Sequence, residues 1–236
     1  MSGKFNLTFS VGEMQPVSGP IDPVTPALRP ADLFPTRVWQ ASLDRLAPHL
    51  QGWVEEVLRM RAATPEAAGR TNRQGWNSKD MRILEQTCFA PLRHAIRAAC
   101  GSALSEMGVP RSDFELQSWI NLHDRGGFNF LHLHEGSLLS GSFYLKVPPG
   151  SGEFVFRDPR PGAIHGSVKG SVPNGHCDIH LTPSTGLLVL FPCWMEHYVE
   201  PHASDEPRIT IAFNANLPPS DKAGDPISVG CVDNQS

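Results

Sequence analysis

The chain has 236 residues, a formal charge of −4 and an isoelectric point near 6.2. This length suits one domain with a real core, and the charge gives no electrostatic case for nucleic acid or an anionic membrane. No run approaches the roughly 18 apolar residues of a membrane span, and the amino terminus lacks the apolar core of a secretory signal. The five scattered cysteines contain no Cys-x-x-Cys pair, so we expect a reducing cytoplasm and no disulfide framework or zinc knuckle.

The first 110 residues are predicted to be an extended arm followed by helices. Residues 1–36 carry six prolines, a composition typical of an extended arm. Residues 37–110 have apolar side chains at helical spacing and form the helical part of the same domain. Pro48 and Gly52 predict that the first helical run is split into two short helices, and Pro91 predicts a kink or break in the second.

Short β-rich runs replace the helices after residue 110. They are separated by Gly and Pro turns and cover residues 114–120, 128–134, 140–147, 152–157, 176–181, 186–191 and 208–214. Such a series predicts a double-stranded β-helix, the cupin-like jelly roll, over residues 111–216. The fold class is therefore α+β, with the N-terminal helices packed on the barrel, and residues 217–236 are predicted to be a flexible tail.

Three histidines form a candidate metal site. His132 and His134 are i and i+2 of a predicted strand, so their side chains project from the same face. His197 lies 63 residues beyond His134, where another apolar strand ends in a Pro-containing turn. Three ligands on one side of a metal suit non-haem iron oxygen chemistry, which usually uses two histidines and a carboxylate. Here His134 stands where the carboxylate is usual, and Glu135 is an alternative ligand if a bulge turns it inward.

A second histidine–acid pattern competes for the metal. His176-Cys177-Asp178 satisfies His-x-Asp, and Asp178-Ile179-His180 adds another pair. Only 19 residues separate Asp178 from His197, too few for the several strands that lie between the two metal strands of such a barrel. We therefore favour His132 and His134.

Nine short motifs follow one another from about residue 33 to residue 216. They are Leu33-Phe34-Pro35-Thr36, Gly75-Trp76-Asn77-Ser78, Trp119-Ile120-Asn121, His132-Leu133-His134-Glu135-Gly136-Ser137, Ser140-Gly141-Ser142-Phe143-Tyr144, Phe156-Arg157-Asp158-Pro159-Arg160, Phe191-Pro192, His197-Tyr198-Val199-Glu200-Pro201 and Arg208-Ile209-Thr210-Ile211-Ala212-Phe213-Asn214. In order and spacing they resemble a largely uncharacterised branch of the 2-oxoglutarate- and Fe(II)-dependent oxygenases. The resemblance implies an oxidoreductase that uses Fe(II), 2-oxoglutarate and O₂. It would couple oxidative decarboxylation of 2-oxoglutarate to oxidation, mainly hydroxylation, of an unidentified small molecule.

Arg208 is the candidate anchor for 2-oxoglutarate. This cosubstrate chelates iron through its 1-carboxylate and 2-keto oxygen, so its far carboxylate is left for a guanidinium, whose planar fork matches it. Arg208 and Thr210 are i and i+2 on the last predicted strand and can share that carboxylate. The alternative is a surface arginine that starts a strand.

Weaker candidates surround these residues. By resemblance to oxygenases similar to the nucleic-acid demethylases, Asn121 and His123 would contact the cosubstrate. The Tyr144 hydroxyl could donate to the same carboxylate. Ordinary packing or capping is an equal alternative for these three. The candidates for substrate contacts are Glu135, Trp194 and Arg160.

Two other classes stay open. One is a cupin-like dioxygenase with a three-histidine iron site and no need for 2-oxoglutarate, and the other is a noncatalytic jelly roll that binds a metal or small molecule. Desaturation, cyclisation and demethylation are also open beside hydroxylation. The sequence does not decide the substrate or the oligomeric state.

Overall fold

The computed structural model of the chain describes residues 34–109, 113–162 and 178–218. Nearly all of the predicted arm and tail lies outside these residues. The described helices and strands all belong to one compact unit, Arg37–Pro226. In chain order they are β1 (Trp39–Ser42), α1 (Ala47–Ala63), β2 (Asn72–Asn77), α2 (Ala90–Glu106), β3 (Glu115–His132), β4 (Ser137–Lys146), β5 (Phe154–Arg157), β6 (Asp178–Leu181), β7 (Leu187–Pro192), β8 (His197–Val199) and β9 (Arg208–Asn216), with short 3-10 turns at Asp44–Leu46, Ile83–Glu85 and Thr87–Phe89.

Proline begins both long helices and interrupts neither. Pro48 and Pro91 lie in the first turns of α1 and α2, where the backbone N–H that proline lacks has no partner within the helix. The predicted split at Pro48 and Gly52 is therefore wrong, because α1 runs through Gly52 as one helix of 17 residues. The predicted break at Pro91 is confirmed, because α2 begins at Ala90 and the residues before it form the 3-10 turns Ile83–Glu85 and Thr87–Phe89.

Two strands lie within the segment 37–110, for which the sequence predicted only helices. β1 pairs with β7, and β2 pairs with β3, both antiparallel. β2 has the sequence Asn72-Arg73-Gln74-Gly75-Trp76-Asn77, which has almost none of the β-branched residues that mark strands. β2 is extended because it pairs with β3, and this pairing cannot be inferred from the sequence of β2 alone.

The strands form one antiparallel sheet. The hydrogen-bonded order is β1-β7-β4-β9-β3-β8-β5-β6, with β2 also paired to β3. The long strand β3 pairs with β9 along its first half and with β8 near its end. It therefore connects the centre of the sheet to the strand that begins at His197. Neither α1 nor α2 is long enough to cross a membrane as an apolar span, and the described residues contain no other candidate helix.

The two faces of β3 and β9 have different chemistry. Ile120 and Leu122 on β3, with Ile209 and Ile211 on β9, are buried in the apolar core that packs against α1 and α2. The alternate residues point the other way, because side chains of a strand alternate between faces. These residues, Gln117, Trp119, Asn121, Arg208, Thr210, Ala212 and Asn214, line a cavity.

We predict that the helix-facing core holds this sheet in shape. Phe143 on β4 is fully buried, and its ring meets that of Trp53 on α1 edge to face at 6.3 Å. Phe143→Ala should lower the free energy of unfolding by about 3–5 kcal/mol, measured by urea denaturation, because it removes apolar contact and leaves a cavity. The control is Leu58→Ala on the exposed face of α1, expected within about 0.5 kcal/mol of wild type. Equal losses for the two variants would contradict this assignment of the core.

Candidate active site

The sheet encloses a cavity of about 260 Å³ on the face turned away from the helices. Its wall includes three histidines at one side and Arg208 with Thr210 at another. The described residues that line it include no aspartate or glutamate. The cavity therefore contains fixed positive charge and neutral polar groups.

The three predicted metal histidines meet in this cavity. His132 ends β3 and is the direct cross-strand partner of His197, the first residue of β8. His134 lies two residues further on, and its backbone N–H donates to the Cys193 carbonyl at 2.9 Å. The ring centroids of His132 and His197 are 4.3 Å apart, and those of His134 lie 5.1 and 5.2 Å from them. One ring nitrogen from each histidine lies within 4.8 Å of the other two, a spacing at which one ion could be held.

Backbone carbonyls fix the orientation of two of these rings. Nδ1 of His132 lies 2.6 Å from the Phe130 carbonyl, and Nδ1 of His197 lies 2.9 Å from the Met195 carbonyl. A carbonyl only accepts, so each Nδ1 carries the proton and donates. Each Nε2 is left with a free lone pair, the arrangement typical of a metal-binding histidine.

The surroundings keep the three imidazoles neutral. Burial, reinforced by the neighbouring His132, lowers the pKa of His134 to about 4. Burial also lowers the pKa of His132, and it lowers that of His197 well below its usual value. Neutral imidazole is the form that binds a metal, so the set suits a divalent transition metal such as Fe(II) at neutral pH.

Glu135 is not part of this group. It is exposed in the turn that follows His134, and no bulge brings it inward. The group in this cavity therefore consists of three histidines.

Arg208 is buried beside the histidines without an acidic partner. The residue is 1% exposed, its Nη1 donates to His123 Nδ1 at 3.1 Å, and its guanidinium carbon lies 5.3 Å from the Tyr144 ring centroid. Within the described chain, Arg208 Nε, His123 Nε2 and the Tyr144 hydroxyl are buried without hydrogen-bond partners. A buried cation among unsatisfied polar groups is costly unless an anion completes it. A carboxylate of the expected cosubstrate fits this need.

The protonation states of the neighbours support this fit. Burial lowers the pKa of His123 to about 3, with the adjacent Arg208 acting in the same direction, so His123 is neutral and can accept the guanidinium proton. Burial raises the pKa of Tyr144 to about 12, so its hydroxyl keeps its proton. Among His123, Tyr144 and Arg208, only Arg208 is therefore charged at neutral pH.

The predicted cosubstrate residues form two layers. Thr210 is the cross-strand partner of both Asn121 and Tyr144, and His123 is the partner of Arg208. Arg208, Thr210 and Asn121 line the cavity, whereas His123 and Tyr144 contact Arg208 without lining it. His123 and Tyr144 form the second layer, which contacts Arg208 and does not face the cavity.

The predicted substrate residues do not line this cavity. Glu135 is exposed, Trp194 is 49% exposed, and the exposed Arg160 pairs with Asp158 at 2.7 Å. These three residues lie outside the cavity wall because each sits in a turn or loop beyond a strand end.

The described part of the competing pattern, Asp178 and His180, lies elsewhere in the fold. His176 and Cys177 are outside the described residues, and Asp178 and His180 lie on β6 at the far edge of the sheet, paired to β5. His180 lies 3.0 Å from Glu153, and with Glu200 these residues form a second, more exposed group. None of them approaches the three-histidine group closely enough to join it.

Sequence reasoning missed several polar residues of the cavity wall. They are Arg70, Thr71, Asn77, Gln117, Asn129 and Asn214. Gln117 and Asn214 share the strand alternation of Asn121 and Thr210, so the strand period could have revealed them.

The position of Asn77 depends on a close approach between β2 and β3. At Gly75 a Cβ atom would lie 2.2 Å from the Leu122 carbonyl oxygen, so only glycine fits there. This approach places the Asn77 amide against Asn121, to which it donates a hydrogen bond. No sequence pattern marks this contact.

Comparisons with known proteins agree with the geometry. Residues 117–214 match the family model described as "Putative 2OG-Fe(II) oxygenase". A comparison with curated proteins found no match.

Several solved structures are similar to the chain. A Pseudomonas putida prolyl-4-hydroxylase has a TM-score of 0.57 at 16% identity, covering 78% of this chain and 94% of its own. The epimerase SnoN from nogalamycin biosynthesis, in complex with Fe3+, alpha ketoglutarate and nogalamycin RO, has a TM-score of 0.55 at 17% identity, covering 77% and 79%. HygX from Streptomyces hygroscopicus, with nickel and 2-oxoglutarate bound, has a TM-score of 0.51 at 12% identity, covering 77% and 83%. At these identities the structures show a shared fold, which confirms the predicted double-stranded β-helix.

The matched segment begins in β3 and ends in β9, so it contains the three histidines and Arg208. The predicted enzyme class is confirmed by this match. Residues 117–214 thus match the sequence pattern of the 2-oxoglutarate- and Fe(II)-dependent oxygenases, oxidoreductases that use Fe(II), 2-oxoglutarate and O₂.

Proposed function

We propose that His132, His134 and His197 hold the iron and that Arg208, with Thr210, binds the far carboxylate of 2-oxoglutarate. One observation carries this assignment: the buried, acid-free guanidinium of Arg208 lines the same cavity as the group of neutral imidazoles. The guanidinium offers a bidentate fork and the Thr210 hydroxyl a further donor, which together match one carboxylate.

The metal centre, when bound, supplies the activation of O₂ that is coupled to decarboxylation of 2-oxoglutarate to succinate and CO₂. The chain's own work is to bind, orient and exclude water. The Nδ1–H groups of His132 and His197 donate to backbone carbonyls, so their Nε2 atoms would be free to hold the metal. His123 and Tyr144 hold Arg208 from behind. Phe154 and Phe191 pack against the His197 ring at 5.2 and 4.7 Å and keep that side of the site apolar.

The substrate is proposed to be a small molecule, and its oxidation a hydroxylation. Support comes from the cavity, whose volume of about 260 Å³ suits a cosubstrate together with a reacting group of modest size. Among the structural neighbours, HygX is seen with hygromycin B and SnoN with nogalamycin RO, whereas a Trichoplax adhaerens prolyl hydroxylase is seen with a peptide fragment.

We also propose that the enzyme works in the cytoplasm. The iron must stay ferrous, and Cys88, Cys100 and Cys193 are unpaired thiols, both of which suit a reducing compartment.

An anaerobic titration tests the proposed function directly. Fe(II) is added to one equivalent of the chain and then 2-oxoglutarate, and the weak visible charge-transfer band of the chelate is recorded. Exposure to air should then release succinate. One bound iron per chain with neither band nor succinate would overturn the proposal in favour of an enzyme that does not use 2-oxoglutarate.

Arg208→Gln should weaken 2-oxoglutarate binding about 100-fold and leave iron binding unchanged, because it removes two charge-assisted hydrogen bonds. Arg208→Lys should lose less, since it keeps the charge but not the fork. The chelate band, titrated with 2-oxoglutarate at fixed iron, gives the affinity. Loss of iron with unchanged cosubstrate affinity would mean that the anchor is misplaced.

His197→Ala and His134→Ala should each lower iron affinity at least about 100-fold, because two imidazoles make only an open clamp. His180→Ala is the matched control, since it removes a histidine from the other possible metal group on the sheet edge. Anaerobic equilibrium dialysis gives the bound iron. Loss of iron in the His180 variant alone would move the metal to that group.

The buried histidines should make the metal-free protein less stable as the pH falls. The unfolded chain takes a proton on His134 near pH 6.5, whereas burial keeps its folded pKa at about 4, so protons favour unfolding between these values. Stability from this group is thus present above pH 6.5 and declines as the pH falls toward 4. His134→Gln should make the decline of the unfolding free energy shallower by about 1 kcal/mol per pH unit over this window. The unfolding free energy of each protein is measured by denaturant melts at several pH values in the presence of a metal chelator. Parallel pH profiles for the wild type and His134→Gln would contradict the prediction.

A further inference from the structure

Arg70 is a second arginine of the cavity, and its charge has no use in the chemistry described so far. It precedes β2 and lines the cavity wall. Its Nη1 is buried and has no hydrogen-bond partner. By contrast, Arg61 is paired with Asp124 at 2.6 Å and Arg93 with Glu85 at 2.6 Å. Arg70 instead lies over the Trp119 ring, its guanidinium carbon 5.7 Å from the centroid.

The cavity therefore has one more positive charge than the cosubstrate anchor requires. Arg208 is matched by the far carboxylate of 2-oxoglutarate, while no acidic side chain among the described lining residues is available for Arg70. Burial already lowers the pKa of Arg70, which reflects an incompletely solvated cation. Such a cation gains from an anion that enters the cavity.

Trp119 connects Arg70 to the proposed metal site. The Trp119 ring lies 5.7 Å from the Arg70 guanidinium carbon and 5.7 Å from the His134 ring. A group bound by Arg70 would thus be held about one aromatic side chain away from the three histidines. That separation suits a substrate whose oxidised carbon lies a few bonds from its charged group.

Two polar neighbours extend this side of the cavity. Asn129 donates from Nδ2 to the Thr71 hydroxyl at 2.8 Å, and both residues line the wall. Because the Thr71 oxygen accepts that bond, its own proton remains to be donated. Arginine and threonine together offer the donor set that a carboxylate accepts.

We propose that Arg70 binds a carboxylate of the substrate and thereby selects small carboxylic acids for oxidation. This inference rests on the proposed function, because the oxidised carbon is taken to lie at the three-histidine site. Arg70 acts on the substrate and Arg208 on the cosubstrate. Replacement of Arg70 should therefore weaken binding of the substrate, whereas replacement of Arg208 should weaken binding of 2-oxoglutarate.

The test uses the full chain with Fe(II) and saturating 2-oxoglutarate. The probes are 2-amino and 2-hydroxy carboxylic acids of about three to six carbon atoms, each with its primary amide. Two readouts are recorded for each probe: the anaerobic change in the chelate band and the stimulation of succinate release in air. At least one acid should act at about tenfold lower concentration than its amide, because only the acid pairs with the guanidinium.

The variant Arg70→Gln should raise the half-saturating concentration of that acid about 10- to 100-fold, with iron content and 2-oxoglutarate affinity unchanged. It should also abolish the preference for acid over amide. Arg70→Lys should recover part of that preference, which a merely structural role would not predict. Arg59→Gln, on the exposed face of α1, removes the same charge far from the cavity and should behave as wild type.

Four outcomes would overturn the inference. They are amides as effective as acids, an unchanged response in Arg70→Gln, no acid acting on a wild-type protein that shows the chelate band, and weaker 2-oxoglutarate binding in Arg70→Gln. The last would assign Arg70 to the cosubstrate. Absence of the chelate band in wild type is a distinct result, because it overturns the proposed function itself and the inference with it.

Discussion

The register between β3 and β9 is the constraint on which the rest of the structure depends. It sets Asn121 opposite Thr210 and His123 opposite Arg208, and it turns all four away from the helices. A slip of one residue would exchange the faces, placing Arg208 in the apolar core and Ile209 in the cavity. The helix-facing residues oppose this slip because they are apolar at every second position. The packing of α1 and α2 therefore fixes the chemistry of a face that neither helix touches.

The electrostatics of the cavity follow from the absence of acidic side chains among the described residues that line it. A carboxylate in the metal group would cancel one of the two charges of Fe(II), but His134 is neutral and leaves both. Arg208 and Arg70 add positive charge, and the described lining residues add no negative charge. In the proposed site, a dianionic cosubstrate would thus be attracted by the metal at one end and by a guanidinium at the other. Three histidines make the site more dependent on its anionic ligands than two histidines and an acid would, since those ligands supply the compensating charge.

Sequence predicted the parts of the site that follow the strand period and missed those that depend on loops and neighbours. Arg208 and Thr210 are two apart on one strand, and His132 and His134 were predicted to be two apart on another, so their shared faces could be inferred, although β3 ends at His132. The same period places Gln117 and Asn214, which went unrecognised. β1 and β2 could not be inferred, because their short polar sequences become strands only through pairing. The proline of α1 was misjudged for a related reason: proline breaks a helix interior but starts a helix equally well, and only the position of the first turn decides.

Arg70 also shows why an unpaired charge is informative inside a cavity. On the surface, a neighbouring acid or water would satisfy the guanidinium at little cost, and the residue would say nothing about function. Against Trp119 and the cavity wall, its Nη1 is buried without a hydrogen-bond partner from the described chain. A site that keeps a polar group unsatisfied until the correct ligand arrives discriminates strongly, because a ligand without the matching group leaves that cost uncompensated. Selectivity for an acid would then arise from the neutral character of the surrounding wall as much as from the arginine, since an acidic neighbour would satisfy Arg70 in advance and remove the preference.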